Sequence, residues 1–200
     1  MRRFVVVGQN ARTARDFPLD DICGAAGRWD LLARCAQGSL FISHDLRRDT
    51  ELVLVLLGGP DAPKAVRVQG DSVRNLNPDE RSTVALLSRA LEAPLPRNGR
   101  WVEVQPGIRA ARRGLLEVLE EHGDGRMVLL DEEGSVDGHE LPGLLDDDAT
   151  FVLGDNVGLT EEQRVQVLSR DALEVHLGPI ALHTDHCIVL VHNILDRARR

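Results

Sequence analysis

Phe151-Val-Leu-Gly-Asp-Asn-Val-Gly-Leu-Thr160 decides the fold, together with Leu177-Gly-Pro-Ile-Ala-Leu182 further along the chain. In each stretch a short apolar run stops at a glycine and then leads into a helical pattern. Ligands of open α/β sheets bind outside the carboxyl ends of the strands, where glycine lets the main chain come close to them. The two stretches therefore predict one ligand site built mostly from main chain.

The composition bounds the class of protein. The chain has 200 residues, of which 42% are apolar and 28% charged, and this balance is typical of a globular domain. No apolar run reaches the roughly 18 residues that a membrane-spanning helix needs. The run 4–7 is too short for a secretory leader, and the three cysteines lack CxxC spacing. We expect a single cytoplasmic domain, residues 1–200, without disulfides.

The formal net charge of −8 argues against capture of nucleic acid by the whole surface. Lys64 is the only lysine, so nearly all the positive charge is arginine. Arginine binds phosphate oxygens through a two-pronged guanidinium, and the N-terminal part is rich in it. Local RNA contact and an ordinary solvated surface are both open explanations for this set, which is Arg12, Arg15, Arg28, Arg34, Arg47 and Arg48.

Apolar periodicity divides the chain into alternating strands and helices. The predicted strands are 4–7, 52–57, 66–69, 101–104, 127–130, 151–153 and 173–177. The predicted helices are 28–40, 78–91, 108–121, 161–169 and 184–197, with residues 134–148 as an acidic loop. This alternation predicts an α/β fold, in which helices flank a mainly parallel sheet on both faces.

The candidates for metal and phosphate chemistry are few. His183 and His186-Cys187 have a spacing that could hold zinc, with His192 further on, but no second Cys/His pair matches it. We therefore predict no metal site and interpret Cys187 as a small residue beside a ligand or in the core. The sequence contains neither GxGxxG nor GxxxxGK[ST], which disfavours the common dinucleotide and P-loop sites.

Longer segments at both ends of the chain resemble one known family. Phe151 to Thr160, Leu177 to Leu182 and His186-Cys-Ile-Val-Leu-Val-His-Asn-Ile-Leu-Asp196 resemble the C-terminal region of SPOUT methyltransferases. Asp16-Phe-Pro-Leu-Asp-Asp21, Gly27-Arg-Trp-Asp-Leu-Leu-Ala-Arg34 and Ile42-Ser-His-Asp-Leu-Arg-Arg-Asp49 resemble one branch of them. That branch is the TrmY family, the archaeal tRNA (pseudouridine-54) N1-methyltransferases, and the resemblance spans nearly the whole chain.

The resemblance implies a SPOUT fold with a deep C-terminal trefoil knot, a homodimer, and a knot and cofactor site within about 127–197. It implies S-adenosylmethionine as cofactor, leaving as S-adenosylhomocysteine. The cofactor contacts that it implies are Leu130, Gly154, Leu177, Gly178, Pro179, Ile180, Ala181, Leu182 and Cys187. The RNA contacts that it implies are Arg28, Arg34 and Arg47.

The implied reaction is methyl transfer to N1 of pseudouridine 54 in the T-loop of tRNA. Direct displacement requires in-line positioning of N1 and the methyl group, in a base turned out of its loop. N1 must also lose its proton, and Asp30 is the candidate acceptor. Two alternatives remain open at this point: a related enzyme acting on pseudouridine in ribosomal RNA, and a catalytically inactive dimeric RNA-binding module.

Overall fold

The computed structural model describes residues 1–122, 125–146 and 148–198. Within these ranges nine strands form one sheet in the order β4-β5-β3-β2-β1-β8-β6-β9-β7. The strands are β1 Arg2–Arg12, β2 Thr50–Gly58, β3 Lys64–Gln69, β4 Val102–Gln105, β5 Ile108–Ala111, β6 Arg126–Leu130, β7 Val136–Asp137, β8 Ala149–Gly154 and β9 Leu173–His176. The helices are α1 Trp29–Leu40, α2 Glu80–Leu87, α3 Leu115–Glu121, α4 Leu141–Leu144, α5 Glu161–Leu168 and α6 Thr184–Ala198.

The sheet is mixed, and the pairing changes from parallel to antiparallel at β2. From β2 through β1 to β8, β6, β9 and β7 every pairing is parallel. Strands β2, β3, β5 and β4 pair in antiparallel fashion. The prediction of an α/β fold is confirmed, and the mainly parallel sheet is found on the side that carries the two glycine-ended stretches.

Helices cover both faces of the sheet, as the alternating pattern predicted. Helices α1, α2 and α6 bury their apolar sides on one face, where Phe4 of β1 stacks on Phe151 of β8 with ring centroids 5.2 Å apart. Helices α3 and α5 cover the other face over Val5 and Val53. Because β1 and β2 are buried on both faces, they are continuous runs of β-branched and leucine residues.

Two predicted helices are wrong in part. Residues 108–121 form strand β5 followed by the short helix α3, not one helix, because Ile108 and Ala110 turn inward to pair with β3. The predicted start at Asn77-Pro78 is also displaced. Asp79 is the residue before α2, and its side chain accepts a hydrogen bond from the Ser82 amide.

The acidic segment 134–148 is more ordered than predicted. It contains strand β7, a 3-10 turn at Gly138–Glu140 and helix α4. By contrast, the predicted capping box at the start of α5 is confirmed, since Thr160 and Gln163 exchange hydrogen bonds between side chain and backbone. In the described ranges no helix is both long and apolar enough to cross a membrane.

Candidate functional site

A cleft of about 800 Å³ opens at the carboxyl ends of β6, β8 and β9. It brings together eight of the nine residues that the sequence analysis assigned to a cofactor, and Pro179 is the one outside its lining. These eight are Leu130, Gly154, Leu177, Gly178, Ile180, Ala181, Leu182 and Cys187. Two distant stretches meet here because β8 and β9 both pair with β6 in parallel.

The turn after β8 is held by hydrogen bonds between two side chains, Asp155 and Thr184, and nearby main-chain groups. Asp155 accepts hydrogen bonds from the amides of Gln9 (2.8 Å) and Val157 (2.9 Å). The Thr184 hydroxyl donates to the carbonyl of Gly154 at 2.7 Å, which fixes the start of α6 against the end of β8. The side chains that shape the turn are therefore buried neighbours of the cleft.

Gly154 serves the turn itself. A Cβ at this position would lie 2.5 Å from the carbonyl carbon of Gly158 and 2.8 Å from the amide of Leu159. From the sequence, such a glycine is expected to let a ligand come close to the main chain. Here the atoms that approach are those of the protein's own turn.

The lining of the cleft is apolar at the strand ends and acidic at one side. Asp131, Glu132, Glu133, Asp155 and Glu161 all contribute to it. Arg164 also lines the cleft; it pairs with Asp131 and donates to Glu174 at 2.9 Å. A ligand with an apolar body and a positive charge matches this lining.

Asp30 lies beside the cleft in the first turn of α1, next to Leu31 in its lining. Arg28 donates to both of its oxygens at 3.0 and 3.2 Å, and Arg34 donates to Oδ2 at 3.0 Å. Burial raises the pKa of Asp30, but the hydrogen bonds from the two arginines outweigh this and hold the pKa below its ordinary value. The side chain is therefore a carboxylate at neutral pH.

Two of the three arginines assigned to RNA are thus brought together, and Arg34 also approaches Asp185 and Glu80 at 3.5 Å. Arg47 lies elsewhere. It pairs with Asp196 at 2.6 Å, and Asp196 in turn binds Arg2 at the amino end of β1. Since the cleft is at the carboxyl end of the sheet, Arg47 is separated from it by the length of a strand, and its assignment to RNA stays a prediction.

The candidate zinc residues are dispersed. The rings of His183 and His186 lie 5.7 Å apart at the start of α6. His192 is further down α6, where its Nδ1 accepts from Arg2 and its Nε2 donates to the Ser39 carbonyl. Among the described residues no group of three or more His, Cys, Asp or Glu side chains could hold a metal ion.

Cys187 is half-buried in the cleft wall. Burial is the main cause that raises the pKa of its thiol above the ordinary value, and the charge of Asp185 adds to it. The thiol is therefore neutral at physiological pH. It offers a small polarisable surface to a ligand, in keeping with the interpretation from the sequence.

Sequence reasoning missed Gln9, Thr184 and Arg164 as parts of the site. Gln9 donates to the Gly158 carbonyl at 2.9 Å and so joins β1 to the turn after β8. Its position directly after an apolar run and Gly8 was an available signal. Thr184 was predicted only as a helix cap, and Arg164 gave no signal, because its partners Asp131 and Glu174 are distant in sequence.

A solved structure shares this architecture. The Nep1 protein of Archaeoglobus fulgidus, solved bound to S-adenosylhomocysteine, matches with a TM-score of 0.64 over 98% of this chain and 97% of its own. The two sequences are 17% identical, so the likeness concerns the fold. The fold and the cleft define an α/β protein with a ligand site at the carboxyl ends of a mixed sheet.

Proteins related in sequence identify the family more closely than the shared fold does. The whole chain, residues 1–200, matches the model of a family described as "SAM-dependent RNA methyltransferase". Proteins of Methanococcoides burtonii and Methanocella arvoryzae are each 43% identical over 98% of this chain and 96% and 100% of their own. A Haloferax volcanii protein is 42% identical over 99% and 98%. All three are named tRNA (pseudouridine(54)-N(1))-methyltransferase, and the chain belongs to this family, the TrmY branch of the SPOUT methyltransferases.

Proposed function

We propose that this protein transfers a methyl group from S-adenosylmethionine to N1 of pseudouridine 54 in the T-loop of tRNA, in the cytoplasm. The observation that carries the proposal is the 43% identity, over essentially the full length of both chains, to proteins named for this reaction. The alternative substrate, pseudouridine in ribosomal RNA, has no comparable support, because the relatives named for tRNA match from end to end.

The cleft fits the cofactor in size and chemistry. Ligand pockets of about 300–1,000 Å³ hold molecules of this size, and the cleft has about 800 Å³. Leu130, Leu177 and Leu182 offer apolar surface for a flat heterocycle, while the acidic side favours a sulfonium cation. When bound, S-adenosylmethionine supplies an electrophilic methyl group.

The chain's own contribution beside the cleft is a fixed carboxylate. Arg28 and Arg34 hold Asp30 in one orientation and keep it ionised. In this proposal Asp30 accepts the proton of N1 as the nucleophile forms. Its lowered pKa makes it a weak base, so positioning close to N1 must supply most of the effect.

The knot and the dimer belong to the same proposal. After β6 the chain forms edge strand β7, returns to place β8 beside β1, and then inserts β9 between β6 and β7. The insertion of a late strand between two earlier ones supports the proposed threading of the C-terminal segment. For the dimer, the exposed apolar side chains of Ile180 and Val189 offer surface at the cleft loop and on α6. Sedimentation at micromolar concentration would test the dimer.

The activity is tested with T-arm-containing tRNA transcripts that carry pseudouridine or uridine at position 54. We expect methyl incorporation from labelled S-adenosylmethionine into the pseudouridine transcript, and a methylated nucleoside at position 54 on digestion and mass spectrometry. The uridine transcript is the matched control, because its N1 is blocked by the glycosidic bond. Equal incorporation into both transcripts, or incorporation only into ribosomal RNA fragments, would contradict the proposed substrate.

A further inference from the structure

Arginines gather at the carboxyl-end rim of the antiparallel half of the sheet. Strand β5 ends at this rim and Arg112 follows it directly, while Arg97 and Arg100 lie in the turn that leads into β4. The cleft opens at this same end of the sheet. We call Arg97, Arg100 and Arg112 the arginine rim.

The rim extends away from the cleft. From β1, which adjoins β8 and its cleft turn, the sheet continues through β2, β3 and β5 to β4. Neighbouring strands are about 4.8 Å apart, so these four steps cover roughly 19 Å. Along a duplex each strand carries a phosphate about every 3.4 Å of axis. The distance from cleft to rim therefore corresponds to several phosphates.

The rim differs from the arginines beside the cleft in how many of its guanidinium groups are paired with a carboxylate. In the parts of the chain that the structure describes, Arg97 and Arg100 are exposed and form no ion pair. Arg112 shares Asp61 with Lys64, so two cations face one carboxylate. By contrast, Arg28 and Arg34 beside the cleft both pair with Asp30. At the end of β1 and just after it, Arg12 pairs with Asp16 and Arg15 with Glu92.

The turn that presents the rim is held rigidly. Arg113 donates to the Gly99 carbonyl at 2.6 Å and to Glu121 at 2.7 Å. Trp101 donates to the same Glu121 at 2.7 Å, and the guanidinium of Arg67 lies 4.0 Å from the centroid of its ring. Two further carboxylates, Glu117 and Glu120, border the cavity of about 590 Å³ beside this turn, and Glu117 is engaged by the Gly114 amide.

We infer that the arginine rim binds backbone phosphates of the tRNA on one side of the nucleotide that enters the cleft. The inference rests on the proposed function and adds an RNA path to it. The planar guanidinium of arginine suits phosphate oxygens, and Arg97 and Arg100, which form no ion pair within the described residues, give up no carboxylate on binding. Arg112 would exchange Asp61 for phosphate, and Lys64 would remain as the partner of that carboxylate. This contact depends on the charge and spacing of the phosphates and not on the nucleotide sequence of the tRNA.

The test replaces Arg97 and Arg100 together with Gln and measures tRNA binding at several salt concentrations. We expect binding at low salt to weaken at least fivefold, and the slope of log affinity against log salt to fall by about 1 to 2, one per lost phosphate contact. Affinity for S-adenosylmethionine should be unchanged, which also reports that the variant is folded.

The matched control is Arg74→Gln with Arg197→Gln. It makes the same change of charge at exposed positions toward the amino end of the sheet, past the end of β3 and in the last turn of α6. We expect less than a twofold change in tRNA binding. Equal weakening by the two double variants, or an unchanged salt slope in the rim variant, would overturn the inference. A wild-type protein that binds tRNA through the rim yet leaves position 54 unmethylated would support the rim and contradict the proposed function.

Discussion

Gly154 and Asp30 show how single residues define the cleft. Gly154 is restricted by its own turn, since the main chain of Gly158 and Leu159 occupies the space that a side chain would need. Asp30 is restricted by charge, because two arginines donate to it. The first residue sets the shape of the cleft wall and the second sets the charge beside it.

Gly154→Ala should displace the turn 155–159 and weaken S-adenosylmethionine binding at least tenfold, because a methyl group 2.5 Å from a backbone carbon forces the chain to move. Isothermal titration measures this directly. Gly143→Ala is the control: the same methyl group in α4 meets nothing within 4 Å, and cofactor affinity should be unchanged. Wild-type affinity in Gly154→Ala would contradict the placement of the cofactor in this cleft.

Asp30→Asn should reduce kcat about 10²-fold or more at neutral pH, because the proton acceptor of N1 is lost. Raising the pH should narrow the difference from wild type, since solvent base removes the proton as pH rises. Rate–pH profiles of both proteins on the pseudouridine transcript provide the measurement. A loss of the same size at every pH would indicate a purely structural role for Asp30.

At the scale of elements, one hydrogen bond joins the start of helix α6 to the end of strand β8. The Thr184 hydroxyl at the start of α6 binds the carbonyl that ends β8. Since the loop 177–183 lies immediately before α6, this bond also holds the end of the loop that carries the exposed Ile180.

Thr184→Val keeps the shape of the side chain and removes the hydroxyl. We expect the free energy of unfolding to fall by about 1–3 kcal/mol, because the partly buried Gly154 carbonyl loses its hydrogen-bond donor. Cofactor affinity should fall with it. Urea unfolding and titration of the same preparation check both effects, and an intact cofactor affinity would show that the helix start does not position the loop.

Elements were predictable where local pattern and tertiary pairing agree. The apolar runs of β1, β2 and β8 and the capping box of α5 were of this kind. The segment 108–121 was not, because leucines and alanines favour a helix while pairing with β3 requires a strand at its start. Pro106-Gly107 before it was an available turn signal, and Gly107 indeed adopts a positive φ of 72° between β4 and β5.

The same contrast holds for the site. The strand-end residues were predictable because strands that run in parallel end at one edge. The position of Arg47 was not, because it depends on a long-range pair with Asp196 at the other end of the sheet. The contacts of Arg34 with Asp185 and Glu80 could likewise not be predicted from sequence spacing, since α6 and α2 supply these partners.

Across the whole molecule, two buried histidines make stability depend on pH. Burial is the main cause that lowers the pKa of His122 and of His192 to about 3, and nearby arginines lower it further. In the unfolded chain both return toward 6.5. Between pH 6.5 and pH 3 the unfolded state therefore binds more protons than the folded state. The contribution of the two neutral histidines to the free energy of unfolding is complete above about pH 6.5 and is lost as pH falls toward about 3.

We expect the free energy of unfolding to fall between pH 6.5 and pH 4 with a slope of up to about 1.4 kcal/mol per pH unit for each histidine. Urea titrations across this range give the slope. The double variant His122→Gln, His192→Gln should have a flatter profile whatever its absolute stability, while His44→Gln, at an exposed position, should keep the original slope. An unaltered slope in the double variant would show that His122 and His192 do not cause the pH dependence of stability.

The position of β1 has a consequence for synthesis. This strand pairs with β8, which is synthesised about 150 residues later, and Arg2 forms an ion pair with Asp196, which is later still in the sequence. One edge of β1 therefore stays unpaired until β8 has been synthesised, and non-local pairing of this kind forms slowly. The cleft lining includes Thr184 and Cys187 at the start of α6, so cofactor binding distinguishes chains that have reached α6 from shorter ones.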